Sequence, residues 1–212
     1  MRSNDASMLT FAMKPPDDSP QWKIIEPDFL LGAYATGYFP MAESRDGPLR
    51  WFSPDPRAII PLETFACSRS LQQTLKKNIF TQHIDTVFED VMRRCGGRDE
   101  TWISEEIVAS YLELHRRGFA HSVEAWSEGK LAGGLYGVAL GAAFFGESMF
   151  SIRRDASKVA LVWLVERLRS HRFQLLDTQF LTPHLARFGA YEIPREEYLR
   201  RLTIAVSKEA LF

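Results

Sequence analysis

Apolar residues recur at helical spacing in the first half of the chain and then switch to alternation, and this switch organises the sequence. Between Pro27 and Gly37, Phe29, Leu30 and Tyr34 fall at helix spacing, with Gly37 as the stop. Ser68 is placed to cap a helix carrying Leu71 and Leu75. Val87, Phe88, Val91, Met92 and Cys95 predict one broad apolar face on a helix over about 85–95, ended by Gly96-Gly97. Ser104, followed by Glu105 and Glu106 where carboxylates suit the helix dipole, opens another that turns Ile107, Tyr111 and Leu114 inward and stops at Gly118. From His121 the period becomes two. His121–Trp126 predicts a strand, Ser127–Lys130 a turn, Leu131–Leu140 a second strand and, after a turn at Gly141, Ala142–Phe150 a third. Asp155 is expected to cap a helix carrying Val159, Val162 and Val165 to Leu168. Gln174–Phe180 reads as a further strand, and Thr182-Pro183 as the start of a short helix ending at Gly189.

Prolines set the organisation before residue 64. Pro15, Pro16 and Pro20 discourage regular structure and predict a flexible lead-in, while Pro54, Pro56 and Pro61 argue against a central strand near them. Residues 1–63 therefore read as a small, partly irregular N-terminal unit, and 64–212 as the main domain. Helices, a hairpin with a third strand, a helix and another strand give an α+β or mixed α/β arrangement.

Composition narrows the class without naming a chemistry. At 212 residues and 45% hydrophobic, the chain can bury a core without a disulfide or metal staple. Cys67 and Cys95 form no CxxC pair, no signal peptide is visible and no apolar run approaches a membrane span, so a cytoplasmic protein is expected. A formal net charge of −1 counts against a nucleic-acid partner overall. Basic residues still cluster locally: Arg69 with Lys76 and Lys77, then Arg93, Arg94 and Arg98, then Arg153 and Arg154. Each cluster is either a solvated face or part of a stripe for a short RNA end.

Candidate chemistry emerges by elimination. His83, His115, His121, His171 and His184 show no metal-ligand spacing, and neither a G-x-S-x-G nucleophile motif nor a phosphate loop is present. Two features remain. FFGESMFS puts Glu147 inside an apolar strand, where an ionised carboxylate is costly unless paired, hydrogen-bonded or protonated. LLDTQF places Asp177 and Gln179 two apart, on one face of a mostly apolar strand. Either these polar groups mark strand ends in water or they share a site.

These residues carry a resemblance. LLGAYATGYFPM, RWFSPDPRAIIP, SRS, TWIS, AHSVEAW, GGLYGVALG, FFGESMFS, ASKVAL, LLDTQF and LARFGAYEIPREEYLRRL run in order over about residues 28–202, and together they resemble bacterial leucyl/phenylalanyl-tRNA–protein transferases. The resemblance implies a small N-terminal domain followed by a GNAT-like acyltransferase domain with a mixed, mainly antiparallel sheet flanked by helices. It implies transfer of leucine or phenylalanine, and sometimes methionine, from aminoacyl-tRNA to acceptor proteins beginning with Arg or Lys, which marks them for N-degron-dependent degradation. No metal or organic cofactor and no membrane is implied, and a monomer is expected.

Residue by residue, the resemblance assigns the polar network to Glu147, Asp177 and Gln179. An amide is too weak a base to act as one near neutral pH. The expectation is that Asp177 orients Gln179 and offsets charge on the incoming amine, Gln179 positions the amine or tetrahedral centre, and Glu147 holds the aminoacyl-adenosine end. Leu135, Phe144, Leu161, Leu164, Leu168 and Leu176 match the walls of an apolar side-chain pocket, though plain core is the alternative. Trp102 matches a nucleoside-binding position, and Arg69 and Lys76 match acceptor-stem contacts. The chain departs from the family at Met41, where Trp is common, and at Trp51-Phe52, where two tryptophans are frequent; Met41 and Trp51 are still expected at the substrate. Two rival readings exist. An acyl-CoA-dependent transferase would need glycines in the loop at Arg153–Ser157, which has none. A non-catalytic binding module would have no need of Glu147, Asp177 and Gln179 together.

Overall fold

The computed structural model describes residues 24–212; the lead-in expected at Met1–Gln21 lies outside them. Helices are α1 Pro27–Ala35, α2 Arg69–Lys76, α3 Phe88–Cys95, α4 Glu105–Arg116, α5 Ala156–Ser170, α6 Pro183–Ala186 and α7 Arg195–Val206. Strands are β1 Phe39–Ala42, β2 Leu49–Phe52, β3 Arg57–Ile60, β4 Thr81–Ile84, β5 Ala120–Ser127, β6 Lys130–Leu140, β7 Ala143–Ser151, β8 Leu175–Gln179 and β9 Tyr191–Ile193. β1 and β2 form a hairpin, and the others form one sheet in the order β4-β5-β6-β7-β8-β3-β9. Every pairing is antiparallel except β7 with β8. The class is mixed α+β.

The capping signals act where the sequence puts them. Ser68, Ser104 and Thr182 each accept a backbone N–H three residues on, and Glu26 does the same for α1 through its carboxylate. Asp155 departs from this: it takes a left-handed backbone at φ 68° and makes no capping bond, its carboxylate instead holding Lys158 Nζ at 2.6 Å. The turn at Glu128-Gly129 has positive φ at both residues, the backbone a tight hairpin needs.

β3 overturns the expectation drawn from the prolines. Pro56 and Pro61 bracket the strand, so neither removes a donor from its ladder, and Arg57–Ile60 pairs with β8 on one side and β9 on the other. A segment before residue 64 thus lies inside the main sheet. β4, β9 and α7 were not evident from the hydrophobic pattern: the first two are short, and α7 buries few positions, among them Tyr198 and Leu202.

The sheet separates two cores. One face packs Leu30 and Tyr34 of α1, Met92 of α3, Tyr111 of α4 and Tyr198 of α7 against Tyr136 and Phe145. The other packs Leu71 of α2 and Leu161, Leu164 and Leu168 of α5 against Leu135, Phe144 and Leu176. Among the described residues, no helix is long and apolar enough to cross a membrane.

Candidate active site

Two local departures from regular strand geometry build the site. β6 and β7 pair Tyr136 with Ser148 but Gly137 with Gly146, which leaves Glu147 as the extra residue of a bulge. The bulge shifts the side-chain phase: Phe145 and Phe150, five apart, reach the same core, and Met149 goes to the other. On the neighbouring side, the β7–β8 ladder ends at the pair Phe145–Asp177, although β7 continues to Ser151. Past that point the sheet opens.

A cavity of about 560 Å³ occupies the opening. Its walls include Leu135, Leu161, Leu164 and Leu176 on the apolar side, Glu147 and Gln179 on the polar side, and Met41 and Trp102 from the N-terminal half. The structure thus gathers most of the predicted site residues. Phe144 and Leu168 are not among the lining residues: Phe144 is fully buried and stacks on Phe212, and Leu168 lies one helical turn beyond Leu164, inside the α5 core. Trp51 lies outside the pocket as well, part-exposed on the hairpin with its ring edge-on to Phe29. Arg69 and Lys76 are exposed at the two ends of α2. Seven residues are nearly two turns, so they share one helix face about 10 Å apart.

Glu147 is nearly fully buried. Its Oε1 accepts from Tyr34 Oη at 2.6 Å and from Gln179 Nε2 at 2.9 Å, while Oε2 has no partner among the described residues. Tyr34 also meets the hydroxyl of Tyr111, and the Tyr136 hydroxyl, buried beside the pocket, has no partner among the described residues. Burial pushes the Glu147 carboxyl up to about 8 against the opposing pull of the Tyr34 bond, with the Asp177 charge adding to the rise. Burial holds all three tyrosines well above their ordinary range, so they act as neutral hydrogen-bonding groups. The raised Glu147 carboxyl makes folding stability depend on pH. Between its ordinary 4.5 and about 8 the folded state holds a proton that the unfolded chain has lost, so stability falls as pH rises across that window. Glu147→Gln should therefore match the natural chain near pH 4.5 and exceed it by a growing margin, up to a few kcal/mol, toward pH 8.5. Melting temperatures of the two proteins across that range test this; parallel curves would contradict the shift.

Asp177 is fully buried and fully engaged. Arg57 Nε and Nη2 reach its two oxygens at 3.0 and 2.6 Å, Tyr198 Oη donates to Oδ2 at 2.8 Å, and the Gln179 backbone N–H donates to Oδ1 at 2.8 Å. Arg57 is itself held between the rings of Phe39 and Tyr198, at 4.7 and 4.5 Å, and donates to Gly37 O. The Asp177 charge is met by this guanidinium, and its carboxylate holds the Gln179 backbone in place. Phe180 N bonds Thr178 O at 2.7 Å across Gln179, whose φ is 63°, so the strand ends in a three-residue γ-turn of the strained, positive-φ kind. The turn points the Gln179 amide at Glu147 rather than along the strand. Sequence reasoning missed Arg57, Tyr198 and the tyrosines around Glu147. Their local signals were the SPDPR motif and tyrosines at buried positions, Tyr34, Tyr111 and Tyr198 on helices and Tyr136 on β6.

Two family models match this chain: one described as leucyl/phenylalanyl-tRNA protein transferase over residues 59–203, the other as the N-terminal domain of that protein over residues 24–55. The chain is 58% identical over 191 residues to a leucyl/phenylalanyl-tRNA–protein transferase of Herpetosiphon aurantiacus, covering 90% of this chain and 99% of that one. It is 52% identical to the Chlorobaculum parvum protein of the same name, covering 89% and 100%, and 57% identical to that of Paramagnetospirillum magneticum, covering 87% and 91%. Among solved structures it is similar to L-PGS from Bacillus licheniformis at 16% identity and a TM-score of 0.41, over 77% of this chain and 56% of that one. That likeness is too loose to carry chemistry. The matches over both parts of the chain, at these identities and coverages, settle its membership: it belongs to the leucyl/phenylalanyl-tRNA–protein transferase family.

Proposed function

We propose that the cavity beside β7 and β8 receives the aminoacyl-adenosine end of a leucyl- or phenylalanyl-tRNA and passes the amino acid to the α-amine of an acceptor protein beginning with Arg or Lys. The observation that carries this is the two-sided pocket: a leucine wall faces the Glu147–Gln179 pair across one cavity. Leu135, Leu161, Leu164 and Leu176 take the side chain, and a wall of this kind separates neighbouring apolar side chains by only about 1–3 kcal/mol, so methionine is also accepted. Trp102 and Met41 take the terminal nucleoside, the first by stacking on the base.

The ester is already activated, so the chain's work is alignment and proton handling. The amine nitrogen attacks the ester carbonyl carbon, a tetrahedral centre forms, and its collapse breaks the bond to the ribose oxygen. The proton leaving nitrogen ends on that ribose hydroxyl. Gln179, fixed by the γ-turn, keeps its amide oxygen for the amine N–H. Glu147, its carboxyl raised by burial, lies hydrogen-bonded beside Gln179, and its Oε2 can hold a proton in transit. The small N-terminal unit (1–63) lends β3 to the sheet of a GNAT-like unit (64–212). The protein is read as a cytoplasmic monomer, and its products as entering N-degron-dependent degradation.

Mixing the chain with labelled Leu-tRNA and an Arg-starting peptide tests the reading. Label must reach the peptide; tRNA binding without transfer supports a binding module, and transfer from acetyl-CoA supports an acyl-CoA enzyme. The tRNA contact makes a separate prediction. Affinity for Leu-tRNA should fall steeply with salt, and Arg69→Ala or Lys76→Ala should each lower the log–log slope by about one. A flat salt response would remove the α2 face from the tRNA-binding surface.

A further inference from the structure

The loop between α3 and α4 carries a cation that the reaction has not yet used. In the last turn of α3, Arg93 pairs with Glu89 and Glu105, and Arg94 pairs with Asp90. In the loop itself, Arg98 has no carboxylate partner among the described residues, its side-chain bond going to a backbone carbonyl. Its side chain makes one bond, Nη2 to the carbonyl of Met149 at 3.0 Å, and that neutral acceptor sits two residues from Glu147 on β7. The rest of its donor fork is open, and the residue lines the cavity. The loop is braced at both ends: Arg45 donates to the carbonyls of Gly96 and Arg98, and Ala42 N bonds the carbonyl of Trp102. One loop therefore presents an unneutralised guanidinium and, four residues on, an indole to the same pocket.

A guanidinium and an aromatic ring side by side fit a nucleotide, whose phosphate takes the fork and whose base takes the ring. We propose that Arg98 binds the phosphodiester on the 5′ side of the terminal adenosine of aminoacyl-tRNA, fixing the depth at which the ester sits against Gln179. This rests on the pocket being the aminoacyl-adenosine site. Arg69 and Lys76 would act farther along the acceptor stem, whereas Arg98 acts at the last phosphate.

The test uses a non-hydrolysable donor analogue, 3′-leucylamino-3′-deoxyadenosine, with and without a 5′-phosphate, titrated into the full chain by calorimetry. The natural chain should prefer the phosphorylated analogue by about 10- to 100-fold at low salt, the worth of one charge-assisted bond set. Arg98→Ala should erase that preference and leave affinity for the unphosphorylated analogue unchanged, while Arg98→Lys, a point charge without the fork, should keep part of it. A preference that survives Arg98→Ala, or an equal loss for both analogues, overturns the assignment. A natural chain that binds neither analogue, yet moves label from Leu-tRNA to the peptide, overturns the assignment and leaves the transferase reading standing.

Discussion

Arg57→Met should cost about 3–5 kcal/mol of folding stability, because it leaves the Asp177 carboxylate buried with no counter-charge. For a domain of this kind that is a large share of a total of about 5–15 kcal/mol. The pair is not there because buried ion pairs are good stabilisers. Desolvating both charges roughly cancels their attraction, and well-packed replacements are often neutral or better. This gives a second, sharper expectation. Arg57→Met combined with Asp177→Asn should recover most of the lost stability, since no charge remains buried and the Asn oxygen can still accept the Gln179 N–H. Turnover should recover far less, because the fork that fixes the Asp177 carboxylate between Tyr198 and Gln179 is gone. Denaturant titration of the single and double variants, with transfer rates on the same samples, separates the two effects. A single variant within about 1 kcal/mol of the natural chain would mean that the ion pair does not anchor this part of the fold.

The ease of reading this site from sequence depended on the range of the interactions that form it. Helix caps at Ser68, Ser104 and Thr182 were legible because the capping side chain and its N–H are three residues apart. The hairpin of β5 and β6 was legible because alternation and a Glu-Gly turn are local. Glu147 and Gln179 were legible as oddities, since a polar residue in an apolar strand needs a reason. That reason was not local. Arg57 lies 120 residues from Asp177, and Tyr34 lies 113 from Glu147. Nothing in the spacing around either residue reports the other. The bulge at Glu147 was equally hidden, because it arises from the register with β6, and the run FFGESMFS by itself is compatible with unbroken alternation. β3 was misread because proline was weighed as a property of the segment, when only its position relative to the ladder matters.

Gln179→Ala should lower the rate of transfer from bound Leu-tRNA by about 10²–10³-fold, the usual consequence of removing one preorganised hydrogen-bonding group from a reacting centre, with tRNA affinity unchanged. Stability should respond differently, and the backbone explains why. At φ 63° an alanine keeps the left-handed strain of the native glutamine, whereas a glycine does not feel it. Gln179→Gly should therefore be about 1 kcal/mol more stable than Gln179→Ala, reversing the order these residues show in an ordinary strand. Both lose the bond to Glu147 Oε1, so the contrast isolates the turn. Single-turnover rates with preloaded Leu-tRNA and denaturation midpoints for the two variants are sufficient. If Gln179→Ala stays within about threefold of the natural rate, the amide is not aligned on the reacting centre at the level this geometry demands. If glycine proves no more stable than alanine, the γ-turn is not held under strain. Should both expectations hold, the chain is accepting a strained strand end at Gln179, stabilised from behind by Asp177 and Arg57, because only that backbone turns the amide off the strand and into the pocket.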